Sequence, residues 1–364
     1  MGLSSLVYPG AHHTRFEHAI GAMHLMQKVI QVLKKKNNII SDLESEAMQI
    51  AVLLHDIGHG PFSHALEKKL IKGISHEEIS LKVLKILNKE YEGKLDLVIK
   101  IFTNKYHRNF MHQLLSGQLD VDRLDYLKRD SFYTGVTEGN INTDRIIAMM
   151  DVENEQLVFE KKAIHSLEKF FLARRLMYWQ VYLHKTSLAA ELILLKLLER
   201  FKVLVTKKKE LISNSHLLYP LINPKSGIDL SQKVLMYYLS LEDSDILFLL
   251  KSWTKHNDII LSSLSKQIIY RNLPKIQIQE KPFKKIDLSK KINLLKKENL
   301  QKSDCNYFAF TGSISNQTYI TDHSQIFLKN KSKSPVPLTE IIDYLDFSYF
   351  SEPLYRYYLC YPKK

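Results

Sequence analysis

The run His55-Asp56-Ile57-Gly58-His59-Gly60-Pro61-Phe62-Ser63-His64 carries the densest chemistry in the chain, and His18 upstream and Asp122 downstream complete it. His18, His55, Asp56 and Asp122 offer a divalent cation two imidazoles and two carboxylates, a set that leaves coordination positions open for water and phosphate. On a helix, adjacent residues differ by about 100° in direction, so His55 and Asp56 can grip one ion only from a helix end that faces a pocket. The other ligands must then come from other helices, a need that His18 and Asp122 meet. A lone histidine is ordinarily a hydrogen-bonded core or surface side chain. A turn ended by Gly and Pro that bears His55, Asp56, His59 and His64 together is poorly explained that way. His55 and His59 also have the i, i+4 spacing of zinc proteases with His-Glu-x-x-His, but Asp56 stands where Glu would, and Gly58 and Gly60 interrupt the helix.

The elements that must position these groups read as mostly helical. No proline lies between Pro61 and Pro220, so the long middle meets few forced breaks. Ile20, Met23, Met26, Ile30 and Leu33 recur at three and four, predicting an apolar stripe on a helix that begins near Arg15 to His18. Ser41 and Glu44 have capping-box spacing and predict a helix with Ala47, Ile50, Ala51 and Leu54 inward and His55 and Asp56 in its last turn. Ser75 and Glu78 repeat the signal, with His76 at that helix's start. Residues 166–205 lack Gly and Pro and predict one long helix with room for a bend. A hairpin around Asn154, between Ile147 and Phe159, is expected to stand isolated in the helical part. Helical patterns return over 230–270, and strand-like alternation marks 275–279, 307–310, 318–320 and 325–328. The fold class expected is mainly α, with a core over 1–220, a helical extension over 221–274 and a small α+β region over 275–364.

At 364 residues, with 45% hydrophobic and 25% charged, the chain matches an ordinary globular composition and excludes a disordered or collagen-like one. No apolar run approaches the roughly 20 residues that span a bilayer. Met1-Gly2-Leu3-Ser4-Ser5 lacks the basic and apolar signature of a secretory leader, and Cys305 and Cys360 alone fit a reducing compartment. The expectation is a soluble cytoplasmic protein without membrane partners. The formal net charge of +13 attracts polyanions. The lysines Lys281, Lys284, Lys285, Lys290, Lys291, Lys296, Lys297 and Lys302 read first as a solvated face and second as a site for anionic ligands, weak nucleic-acid binding included.

Four stretches in order extend the pattern: Arg15-Phe16-Glu17-His18, the His55 to His64 run, Ser75-His76-Glu77, and Asp120-Val121-Asp122-Arg123-Leu124-Asp125-Tyr126. Together they resemble the HD-domain superfamily, and within it the sterile-alpha-motif/HD-domain dNTP triphosphohydrolases and their bacterial relatives. Arg174 and Tyr182-Leu183-His184-Lys185 are similar to that family's Arg and Tyr-Gln-His-Lys signature, with Leu183 replacing Gln. The likeness covers roughly the first two hundred residues. It implies an HD-domain helical core in which His18, His55, Asp56 and Asp122 hold a divalent cation, one of Mn, Fe, Mg, Ni or Zn. Water activated there would attack the α-phosphate and yield a deoxynucleoside and triphosphate. The resemblance makes His64 the general acid, with Glu67 orienting it, His59 and His76 lining the phosphates and Glu77 supporting them. Arg15, Arg123 and Arg174 would pair with the triphosphate, although Arg123 stands where family members often carry Lys. Tyr126 and Asp130 would face sugar or phosphate, and Tyr182 would pack on the deoxyribose. His184 and Lys185 would serve an allosteric nucleotide pocket in a homo-oligomer, a dimer or tetramer.

Family members carry a helix with a Gln just before the segment matching Met1 to Ala11, where this chain starts. A misassigned start, a cut chain and a reduced sugar pocket each account for that. Two further readings stand beside the leading one. The same ligands suit an HD-type phosphomonoesterase or phosphodiesterase, for which His59 and His76 are available as extra ligands. The net charge alternatively suits a basic nucleic-acid-binding protein with a vestigial site.

Overall fold

Capping boxes start the helices that matter most for the site. The backbone N–H groups of Glu17, Glu44 and Glu78 donate to the side-chain oxygens of Thr14, Ser41 and Ser75 at 3.1, 3.2 and 3.3 Å, and in each case the Glu side chain returns to the cap residue's own N–H. The computed structural model describes residues 1–62, 66, 74–207, 218, 232–296, 301–316, 319, 325–330, 333–340 and 352–363. The helices are α1 (Arg15–Lys35), α2 (Asp42–Leu54), α3 (His76–Glu90), α4 (Asp96–Phe102), α5 (Asn109–Ser116), α6 (Val121–Thr134), α7 (Thr143–Ala148), α8 (Ile164–Met177), α9 (Lys185–Lys207), α10 (Gln232–Leu239), α11 (Asp243–Trp253), α12 (Ile259–Ile269), α13 (Lys285–Lys296) and α14 (Lys302–Cys305). The strands are β1 (Met150–Glu153), β2 (Gln156–Glu160), β3 (Lys275–Gln279), β4 (Phe310–Asn316), β5 (Phe327–Asn330), β6 (Lys333–Pro337) and β7 (Leu354–Tyr361). The fold is mainly α, as expected, with small sheets, and no helix among the described residues is long and apolar enough to cross a membrane.

Two large apolar cores and a small third cluster of Leu188, Ala189 and Ile276 lie among the described residues. In the first, α1 packs against α2 and α6, burying Ala22, Met26, Val29 and Leu33 with Met48, Val52, Leu124 and Leu127. In the second, α9 packs on α12, bringing Ile193, Leu197 and Phe201 to Trp253, Leu261 and Leu264.

Several expectations need correction. Ile20 does not join the stripe of α1 and is 40% exposed, whereas Leu25 and Val29 are buried. The helix packs against α2, α6 and α7 and also meets β1, so its buried face is wider than one stripe. The 166–205 segment is broken: α8 passes into a π-turn over Tyr178–Tyr182 before α9 begins. Leu183 N donates to Tyr178 O at 2.7 Å, the i→i+5 closure of a π-turn. Residues 307–309 turn rather than extend, and the strand starts at Phe310. Of 318–320 only Tyr319 lies among the described residues. The hairpin β1–β2 is not isolated. β2 pairs in parallel with β5, Val158 opposite Phe327, and the sheet runs β1-β2-β5-β6. Tyr319, Ile326, Leu328 and Leu338 thereby enter the first core, while the second sheet, β3-β7-β4, sends Phe310 and Cys360 into the second.

Candidate metal centre and its cavity

Each candidate ligand sits at a helix end. The Thr14 cap places Arg15 and His18 in the first turn of α1. Helix α2 stops at Leu54, short of the expected last turn through His55 and Asp56, so His55 caps it and Asp56 occupies the following turn. That turn is clamped onto α3: Gly58 N donates to Ser80 Oγ at 2.9 Å, and Ser80 Oγ donates to the His55 carbonyl at 2.8 Å. A Cβ on Gly58 would collide with the His76 carbonyl and the Ser80 backbone nitrogen, so glycine permits the close approach. Asp120 caps α6 by accepting Arg123 N at 2.8 Å, which puts Asp122 in its first turn. Asp125, Tyr126 and Asp130 follow on the same face at helical spacing.

These ends bring the four candidate ligands together. His18 Nε2 lies 3.0 Å from Asp122 Oδ1, and His55 Nε2 lies 3.5 Å from the same oxygen and 3.4 Å from Asp56 Oδ1. Ligand atoms of His18, His55 and Asp56 all fall within 4.8 Å of one another. The outward nitrogens are fixed from behind. His18 Nδ1 donates to Asp125 Oδ2 at 2.7 Å, and His55 Nδ1 donates to the Val52 carbonyl at 2.6 Å, so both Nε2 atoms turn to the shared centre. His55 Nε2 is buried and makes no hydrogen bond. A buried, unsatisfied imidazole nitrogen beside two carboxylates fits a divalent cation, and the mixed N/O donor set agrees. Without a cation the carboxylates hold protons on the rings. Burial opposes the charge on His18, but Asp122 and Asp125 outweigh it and push the ring up to about 10. Burial likewise opposes His55, and Asp56 with Asp122 carries it to about 9. Asp122 is drawn well below the usual carboxylate range, because His18 and His55 overcome the effect of its burial.

Around this centre lies a cavity of about 1310 Å³, lined by Arg15, His59, His76, Glu77, Arg123, Tyr126, Asp130, Arg174 and Tyr182 among others. Every one of these was singled out from sequence. The rings of His59 and His76 lie with centroids 3.8 Å apart and planes tilted by 34°, His59 Nδ1 is 3.5 Å from Asp56 Oδ1, and His76 Nε2 is 3.3 Å from Glu77 Oε1. Asp56, His59 and His76 form a second group with ligand spacing. Arg15 Nη1 donates to Asp56 Oδ2 at 2.5 Å, and Arg123 pairs with Asp120. The guanidinium carbon of Arg174 lies 6.0 Å from the Tyr178 ring centroid. At the far end, Tyr182 OH donates to Asp130 Oδ2 at 2.6 Å.

His64 and Glu67 lie outside the described residues. His184 and Lys185 are not among the residues lining the cavity. His184 Nδ1 instead accepts Thr186 N at 3.2 Å, and burial, then Lys185, lowers its basicity. Sequence reasoning missed the supports. Asp125, which orients His18 and is itself held by Arg129 at 2.8 and 2.9 Å, stands three residues after Asp122 and was legible from that spacing. Asp120 is fully buried and its carboxyl is pushed up to about 6 by burial, against the pull of Arg123. His13, which meets Asp130 at 2.7 Å across 117 residues, had no local signal.

Histidines and aspartates gathered from helix ends at one centre, in a cavity that also presents Arg15, Arg123, Arg129 and Arg174, are the features of the helical metal-site phosphohydrolase class. Models of the HD domain match residues 15–130, and of the HD associated region residues 141–213. The chain belongs to the HD-domain phosphohydrolase family. A phosphohydrolase from Bacteroides thetaiotaomicron VPI-5482 superposes with a TM-score of 0.91 at 45% identity, covering 99% of this chain and 90% of that one. YwfO of Bacillus subtilis is 32% identical over 280 residues, 75% of this chain and 63% of YwfO. The deoxynucleoside triphosphate triphosphohydrolase SAMHD1 homolog of Dictyostelium discoideum is 33% identical over 213 residues, 53% of this chain and 41% of that protein. The chain therefore spans less than two thirds of these two curated relatives.

Proposed function

We propose that this chain is a metal-dependent nucleotide phosphohydrolase whose reaction is hydrolysis of a dNTP to deoxynucleoside and triphosphate. The observation that carries the proposal is the convergence of His18, His55, Asp56 and Asp122 in a cavity that also holds Arg15, Arg123 and Arg174. A divalent cation bound by those four residues would supply Lewis acidity toward a phosphate oxygen and lower the pKa of water. The chain's own groups do the rest. The guanidiniums match the charge and fork geometry of phosphate oxygens. His59 and His76 line the same cavity and would donate to a phosphate chain bound there, and the family likeness gives His64 the proton for the leaving 5′ oxygen. Asp130 and Tyr182 provide a polar and aromatic end for the sugar. Tyr182 meets the rings of Tyr178 and Tyr126 edge to face at 5.1 and 6.3 Å, and a ring so wedged resists displacement by a 2′-hydroxyl. The similarity to a dNTP triphosphohydrolase homolog supports the same reading.

One observation favours a second reading. Asp56 belongs to two ligand groups, one with His18 and His55 and one with His59 and His76, an arrangement suited to two cations and thus to phosphomonoester or phosphodiester cleavage. The purified protein should be incubated with each dNTP, NTP and cyclic nucleotide in Mg, Mn, Fe, Co and Ni, and the products separated. Release of triphosphate from dNTPs supports the first reading, whereas release of monophosphate favours the second. The His18→Ala variant should lose bound metal by elemental analysis and activity by on the order of a thousandfold. Full activity in that variant would sink both.

A further inference from the structure

The Asp130 carboxylate is gripped from two sides. Tyr182, from the π-turn, donates to Oδ2 at 2.6 Å. His13, from the segment before α1, places Nε2 2.7 Å from Oδ1. The two partners lie on separate stretches of chain, and neither belongs to the helix that carries Asp130. The His13 side chain is 6% exposed and stacks on Tyr133 with centroids 4.6 Å apart and planes inclined by 26°.

A carboxylate oxygen accepts hydrogen bonds, so Nε2 is the ring nitrogen that donates to Asp130. Nδ1 is buried and makes no hydrogen bond. An apolar ring would stack on Tyr133 equally well without leaving a polar atom unsatisfied. The imidazole is therefore explained by the bond it makes to Asp130, not by the space it fills. With one bond to each oxygen, the carboxylate plane cannot rotate, and each oxygen keeps acceptor capacity toward the cavity that Asp130 lines.

We infer that His13 is a positioning residue for sugar recognition: with Tyr182 it locks Asp130 so that the free lone pairs accept a ring hydroxyl of the substrate. The inference rests on the nucleotide reading above and deepens it. A 2′-deoxynucleotide has a single ring hydroxyl, at 3′, so that hydroxyl is the one read.

The test compares kcat/KM and Kd for a dNTP and its 2′,3′-dideoxy analogue in the wild type, His13→Leu and His13→Gln. The wild type should prefer the dNTP. His13→Leu should lower kcat/KM for the dNTP about tenfold, the loss of one well-oriented hydrogen bond, while the dideoxy value stays within about twofold. His13→Gln, which keeps an N–H at similar reach, should restore most of the preference. Equal losses on both nucleotides, or none, overturn the inference and leave the nucleotide reading standing. A wild type that binds and cleaves no nucleotide overturns both. Should His13→Leu not fold, His13→Asn, too short to reach Asp130, is read by the same criterion.

Discussion

At the scale of single residues, the centre is an arrangement of opposite charges that a cation would replace. In metal-stripped protein, His18 and His55 titrate near 10 and 9, far above the roughly 6.5 of a free imidazole. Groups whose folded pKa is raised contribute stability that is complete below the unfolded value and is lost as pH rises through the folded one. The stripped protein should therefore lose stability progressively from about pH 6.5 to about pH 10, seen as a falling Tm across a chelator-treated pH series. A Tm that stays level over that window would mean that the rings are already neutral. Asp122 acts in the opposite sense: held below the usual carboxylate range, it contributes above that range and loses its contribution as acid protonates it. A bound cation needs neutral imidazoles, so its uptake must release the protons that Asp122 and its neighbours hold in place.

At the scale of elements, precision comes from helix ends locked to one another. The turn bearing His55 and Asp56 is tied to α3 through Gly58 and Ser80, and the same helix begins at His76. One contact thus sets the distance between the two halves of the site. Gly58→Ala inserts a methyl group against backbone atoms of α3, where no side chain can swing away. It should cost about 1–3 kcal/mol in urea denaturation and lower turnover more than tenfold, because the backbone carrying two ligands must move. Unchanged turnover would show that the clamp does not set the geometry. The π-turn is another such device. It breaks the run from α8 to α9 and delivers the Tyr182 hydroxyl to Asp130, an insertion of the kind often found at functional sites.

At the scale of the whole molecule, the last part of the chain is shared between both cores. Strand β5 extends the hairpin of the helical half, and Leu328 is 2% exposed within the first core. Leu328→Ala should therefore destabilise the helical half by about 2–5 kcal/mol, lowering the temperature at which activity is lost even though the residue does not line the cavity. An unaltered inactivation temperature would mean that the helical half stands without that strand. Most lysines of the 281–296 stretch form a solvated face, Lys291 excepted, whose Nζ lies 3.8 Å from the Tyr361 ring centroid. Lys281, Lys284, Lys285, Lys290 and Lys296 are exposed, while Leu295 anchors α13 inward.

What the sequence determined by itself was whatever depends on neighbours a few residues apart. The Ser41 and Ser75 caps, the turn after α2 and the ligand types at His18, His55, Asp56 and Asp122 all follow from such spacing, because a helix start or a donor set is written in local order. Asp125 could have been added on the same grounds. Tertiary structure alone decided how wide a face of α1 was covered, where the long helix broke and which sheet received β2. It also decided that His13 would meet Asp130. These outcomes depend on contacts between separate elements, the His13–Asp130 and β2–β5 pairs being more than a hundred positions apart, made only when the chain closes and both partners are desolvated together. No local period encodes them.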